Sequence, residues 1–431
     1  MSEEEDLTDM TEYVIDPKKP LPRPEWVQKA NAEGRMWAAA GMLSHVVPLD
    51  EASILASAYQ MTGLNDMGDD DWQEPLRIML RSFEEEADLN LIGRLCSRSE
   101  LLIWITSRLR IVDLVKRHPE IRDEPIEKPI FVTGLPRTGT SILQELLGQD
   151  PNMRTPLFWE CYFPGEAAES GGKDAAARAS GDALVNQWAR VVPEIRTMHE
   201  TGGDIPAEDA TVWNYSLMSD HIMSFYQMPS YDRFFNQIDA TILYRYHKLF
   251  LQVLQWRRPR QQWFGKTLYH LGHMPSLFEV YPDARIIHTH RDPLRSMASV
   301  TSLLRAFYWQ RSDKDFDVPG FDEIMLPAPT AQRLEAAMEI RDKGLVPKAQ
   351  IVDSRYQDLM DDPVGAMRKI YLAFGIPFTD DSATRIVQYL AHKPKHKFGA
   401  HEYKTMSAEA ARKVRPLFRR YQDRYNVPDE I

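Results

Sequence analysis

The run from Pro129 to Leu147 constrains this chain more than any other. A short apolar, β-rich stretch stops at Gly134, a loop of small and hydroxyl residues follows, and an amphipathic helical pattern then begins. A strand, a tight loop and a helix N-terminus in that order aim backbone N–H groups and the positive helix end at an anion. Gly139 lets the backbone come close to that anion, and the hydroxyls of Thr138, Thr140 and Ser141 add donors. Arg137 brings a planar fork that matches phosphate or sulfate.

The spacing from Gly134 to Ser141 is that of a Walker A loop, but Thr140 stands where the lysine belongs. A loop that lacks this lysine is a poor clamp for a γ-phosphate. The anion-binding reading therefore stands, and a magnesium-dependent nucleoside triphosphatase or kinase becomes the rival. A nucleotide-binding module without catalysis is a second rival.

Further short β runs fall at Gln262–Phe264, Ala284–Thr289 and Gln350–Asp353, separated by long helical patterns. Alternation of that kind implies a parallel sheet with helices on its faces. From Trp26 to about Arg117 apolar residues recur at helical spacing with almost no β-rich run. The proline-rich segment between His118 and Pro129 marks the boundary. The expected fold class is α/β: a P-loop-containing three-layer α/β/α arrangement with a central parallel sheet, preceded by an α-helical N-terminal region. The expected organisation is an extended acidic arm over 1–24, helices over 25–127 packed on the core, and the sheet domain over 128–431.

The net charge of −11 argues against a general nucleic-acid binder but allows a local basic pocket. With only Cys96 and Cys161 present, a disulfide framework is not expected. The first residues lack the basic and apolar regions of a signal peptide, and Leu101 to Val115 is too short and too charged to span a bilayer. A cytoplasmic protein with no integral membrane segment is expected, with homo-oligomerisation and peripheral membrane contact left open.

Ligands of open α/β sheets sit beyond the carboxyl ends of the strands. There the second long β run delivers Arg291, and Pro293 opens a helix that carries Ser299 eight residues later. Together these two residues could hold a second phosphate, although Arg291 and Asp292 could instead form a surface ion pair that caps the helix.

These residues carry a resemblance. The loop from Gly134 to Ser141 resembles the 5′-phosphosulfate loop of sulfotransferases that use 3′-phosphoadenosine 5′-phosphosulfate (PAPS), and the spacing of Arg291 and Ser299 matches their 3′-phosphate motif. The chain is similar in particular to a bacterial family related to tyrosylprotein sulfotransferases. The similar stretches are Pro136 to Thr140, Arg154 to Glu160, Tyr281 to Arg285, Thr289 to Pro293, Arg355 to Leu359, and Asp362-Pro363.

The resemblance implies direct in-line sulfuryl transfer from PAPS to a hydroxyl of a small or lipid-like acceptor, with no metal. It implies that Arg137 and the loop N–H groups hold the 5′-phosphosulfate, that Arg291 and Ser299 hold the 3′-phosphate, and that Tyr356 lines the adenine pocket. It places Lys266, at the end of a β run, between donor and leaving oxygen. For the general base it offers Glu160, which follows the loop helix, and His270, four residues beyond Lys266. Leu268 stands where many relatives have a proline between that lysine and histidine. The basic run Lys393 to Tyr403 is similar to a segment that folds over the donor. Polar candidates for acceptor contacts are His199 to Asp204 and Glu208-Asp209, and the aromatic stretches around Trp213, Phe225 and Tyr231 suit a bulky apolar acceptor.

Overall fold

The computed structural model describes residues 23–198, 200–314, 326–393 and 406–431, without the side chains of Ala298 and Ser299. The acidic arm, His199, the Ser299 hydroxyl and the basic run beyond Lys393 thus lie outside the described residues, apart from the last two positions of the arm.

Five strands form one parallel sheet in the order β2-β3-β1-β4-β5. They are β1 (Ile130–Gly134), β2 (Met153–Arg154), β3 (Gln262–Lys266), β4 (Arg285–His290) and β5 (Ile351–Arg355). All five residues of β1 are buried. Alternate side chains enter two separate cores: Ile130 and Val132 on one face, Phe131 on the other. This is why β1 reads as a continuous apolar run rather than an alternating one.

On one face lie the helices Thr140–Leu147, Pro363–Ala373 and Asp380–His392, which contribute Leu143, Leu146, Met367, Ile370 and Ile386. On the other lie Ala240–Gln255, His270–Val280 and Pro293–Arg311, whose core is continuous with that of the N-terminal helices. The three-layer α/β/α class is therefore correct. The long N-terminal helix Leu91–Arg117 carries Arg108, whose buried guanidinium donates to Met67 O at 2.7 Å and to Asp71 at 2.7 Å. Among the described residues no helix is long and apolar enough to cross a membrane.

From β1 the chain passes to β2 and β3 on one side and then to β4 and β5 on the other. The strand order thus reverses beside β1, and the crevice beyond its carboxyl end is where a ligand is expected. That end is the loop at Gly134.

Candidate active site

The loop is held open by its own chain and by its neighbours. Gly139 caps the loop helix with φ +93°, and a Cβ there would lie 2.9 Å from the Tyr356 ring. Only glycine suits that backbone and that contact. Arg137 also has a left-handed backbone, φ +64°, uncommon for a side chain of its size. The carbonyl of Pro136 accepts from the Ser296 hydroxyl of the helix Pro293–Arg311. The first turn of the loop helix leaves its N–H groups without intrahelical acceptors, facing the crevice.

Arg291, at the end of β4, closes one side. Its guanidinium donates to Arg137 O at 3.0 Å, lies 3.9 Å over the Tyr356 ring, and forms a forked pair with Glu430 at 2.8 Å. Asp292 does not pair with it; it caps the following helix and binds Arg415. The backbone of Arg137 and Gly139, the Arg291 guanidinium and the Tyr356 ring therefore converge, while the Arg137 guanidinium donates to Met198 O at 3.4 Å.

Lys266 ends β3 beside Val132 of β1 and is 4% exposed. Its ammonium pairs with the carboxylate of Glu208, an acid the sequence offered only as an acceptor contact. Lys393, the first residue of the basic run, pairs with Glu145 of the loop helix at 2.6 Å and with Glu200 at 2.9 Å.

Three assignments change. The Thr138 hydroxyl, expected on phosphate, is fully buried; it donates to Leu135 O at 2.7 Å and sits 2.6 Å from the Thr289 hydroxyl. It shapes the loop from within, and only its backbone N–H remains for an anion. Glu160 accepts from Arg258 at 2.7 Å, from Arg154 at 3.1 Å and from Leu157 N at 3.1 Å. Arg154 pairs in register with Trp263, near the start of β3. Trp263 and Lys266 are three residue steps apart along β3, roughly 10 Å, and the Glu160 carboxylate is committed to the two arginines.

His270 has no exposed surface. Its Nε2 lies 2.8 Å from Asp209 and its Nδ1 2.9 Å from the Tyr244 hydroxyl, so neither nitrogen is available to an acceptor. Burial lowers its pKa against the pull of Asp209. Asp209 also meets His247 at 3.1 Å. Burial opposes its ionisation, yet the two histidines outweigh burial and hold its pKa below the usual carboxylate range. Its carboxylate lies against Gly265 of β3, where a Cβ would stand 2.2 Å from it.

A second polar cluster lies across the sheet from the loop helix. His288, His290 and Asp353 bring ligand-type atoms within 4.8 Å of one another. Arg341 already holds both oxygens of Asp353, at 2.6 and 2.8 Å, and Tyr425 stacks on His290 at 3.9 Å. A guanidinium in that place makes the cluster an ion network.

Comparison with known proteins gives the family. The model of the sulfotransferase family matches residues 129–380, more than half of the chain. The chain belongs to the sulfotransferase family. It is 26% identical over 297 residues, 64% of this chain and 70% of the relative, to the omega-hydroxy-beta-dihydromenaquinone-9 sulfotransferase Stf3 of Mycobacterium bovis, and matches that of Mycobacterium tuberculosis equally. Among solved structures it is similar to sulfotransferase STF9 of Mycobacterium avium, with TM-score 0.73 and 26% identity over 89% of this chain and 98% of that one. Sulfotransferase STF1 of Mycobacterium tuberculosis follows with TM-score 0.67 and 26% identity, over 87% and 98% of the two chains. The likeness therefore extends through the N-terminal helices, beyond the family match.

Proposed function

We propose that this sulfotransferase takes its sulfuryl group from PAPS and transfers it in line to a hydroxyl of a lipid-like acceptor. The observation that carries the donor assignment is the convergence of the Arg137–Gly139 loop backbone, the Arg291 guanidinium and the Tyr356 ring beyond β1, β4 and β5, with Lys266 at the end of the neighbouring β3. Arg137 and the N–H groups from Gly139 to Ser141 hold the 5′-phosphosulfate. Arg291, with Ser299, holds the 3′-phosphate. Tyr356 seats Arg291 on the loop and lines the adenine pocket. Lys266 stabilises charge on the oxygen that leaves with the nucleotide, which is the role of a preorganised cation at a developing anion. The lipid-like acceptor is supported by the named substrate of the Stf3 relatives.

Calorimetric titration with desulfated donor, 3′-phosphoadenosine 5′-phosphate (PAP), and with ATP tests the donor reading. PAP binds the wild type, and Arg137→Ala weakens it by about 10- to 100-fold, the worth of a charge-assisted hydrogen-bond pair. Equal affinity in the variant, or preference for magnesium-ATP, overturns it.

A further inference from the structure

We propose that Glu208 is the general base that activates the acceptor hydroxyl, and that Lys266 masks it until the donor is seated. This rests on the sulfuryl-transfer reading. Glu160 and His270 are both committed to other partners, so the base must come from elsewhere. Glu208 is the carboxylate that touches the strand-end lysine. Its side chain is 31% exposed, against 5% for Lys266, so an acceptor can reach it. Asp209 is fully buried between two histidines, and Asp220 lies 3.5 Å from the Thr267 hydroxyl.

The segment is built to hold Glu208 there. Ala207 O accepts from the Gln144 amide of the loop helix at 2.9 Å, and Ala207 N donates to Pro156 O at 2.9 Å. On the other side Asp209 is gripped by His247 and His270 and lies over Gly265. The neighbours of Glu208 are thus fixed, one to the helix that follows the loop and one to the strand that carries Lys266. His270 and Gln144 are positioning residues in this arrangement.

The step balances without a further reactant. The acceptor proton passes to a Glu208 oxygen as the acceptor oxygen bonds to sulfur. The bond from sulfur to the bridging oxygen breaks, and its electron pair leaves with PAP. Lys266 has one ammonium for two anions. When the phosphosulfate takes it, the Glu208 carboxylate becomes free to accept a proton. The charged group in contact with Glu208 is Lys266, and the next residue along the chain, Asp209, is buried against His247 and His270.

Glu208→Gln tests this with PAPS and a total lipid extract, PAP release being followed at saturating donor from pH 5 to 9. Wild-type turnover on the same extract is the control that separates this inference from the sulfuryl-transfer reading. A general base is worth about 100-fold or more. The expected result is a kcat loss of that size, disappearance of the acidic limb of the pH profile, and PAP affinity unchanged within about threefold. Turnover within threefold of wild type with the limb retained overturns it. So does loss of PAP binding by the folded variant, which would make Glu208 a donor-site residue. Should Glu208→Gln fail to fold, Glu208→Asp gives the same reading: kcat falls at least tenfold with the acidic limb kept, and unchanged turnover contradicts the proposal.

Discussion

The guanidinium of Arg291 is held by the carboxylate of Glu430 in a forked pair with contacts of 2.8 and 3.1 Å. In the donor reading, that carboxylate stands where a phosphate would bind. Donor binding must then displace Glu430, and the pair sets part of the donor affinity. An ion pair with side chains 15% and 28% exposed is worth about 0.2–1 kcal/mol. Glu430→Ala is expected to tighten PAP by about two- to fivefold, and Arg291→Ala to weaken it by about 10-fold or more. Calorimetry on the two variants reads both, and affinity unchanged in each removes Arg291 from the site.

Gly139→Ala should abolish donor binding while leaving most of the fold. The added methyl meets the Tyr356 ring at 2.9 Å on a backbone of φ +93°. The loop can relieve it only by moving. PAP affinity is expected to fall at least tenfold, with the far-ultraviolet circular dichroism spectrum preserved.

Glu160→Gln should damage stability rather than chemistry. Arg154 is pushed down to about 10 by burial, with Arg258 adding to the effect and Glu160 opposing it. Removing the one carboxylate that both arginines share leaves buried charge uncompensated, at a cost of about 3–5 kcal/mol. Urea unfolding checks the loss. The folded variant should keep kcat within about threefold of wild type, and a much larger drop would return Glu160 to the chemistry.

Stability should fall on mild acidification. Burial lowers the pKa values of His270, His288 and His290, and pushes His273 down to about 4. In the unfolded chain each titrates near 6.5. Between roughly pH 6.5 and 4 the unfolded state therefore binds more protons, and stability drops as pH falls through that window. A thermal midpoint that falls steadily from pH 7 to 4.5 is expected, and a flat profile contradicts the buried, neutral state of these rings.

The loop and the central strand were legible because their signals are local. Ile130 to Gly134 is an uninterrupted apolar run, and the following glycine spacing declares an anion site without reference to any partner. β2 was not legible: two residues, Met153–Arg154, carry no periodicity. The base could not be read either. Glu160 and His270 have suitable chemistry and suitable positions along the chain, but their availability is decided by Arg258 and Tyr244, which only the fold brings to them. Glu208 lies 58 residues from Lys266, and no spacing rule links them. The acidic pair Glu208-Asp209 beside Pro206 was the available signal. It marked a polar contact without telling the exposed acid from the buried one.

Transfer of label from radiolabelled PAPS to a lipid extract, with and without a chelator and in parallel with Lys266→Ala, tests the central claim most directly. The wild type should form a labelled lipid and release PAP in equal amount, while Lys266→Ala should slow that transfer at least 100-fold. A wild type that forms no labelled product, or one that instead hydrolyses ATP in a magnesium-dependent reaction, would contradict it.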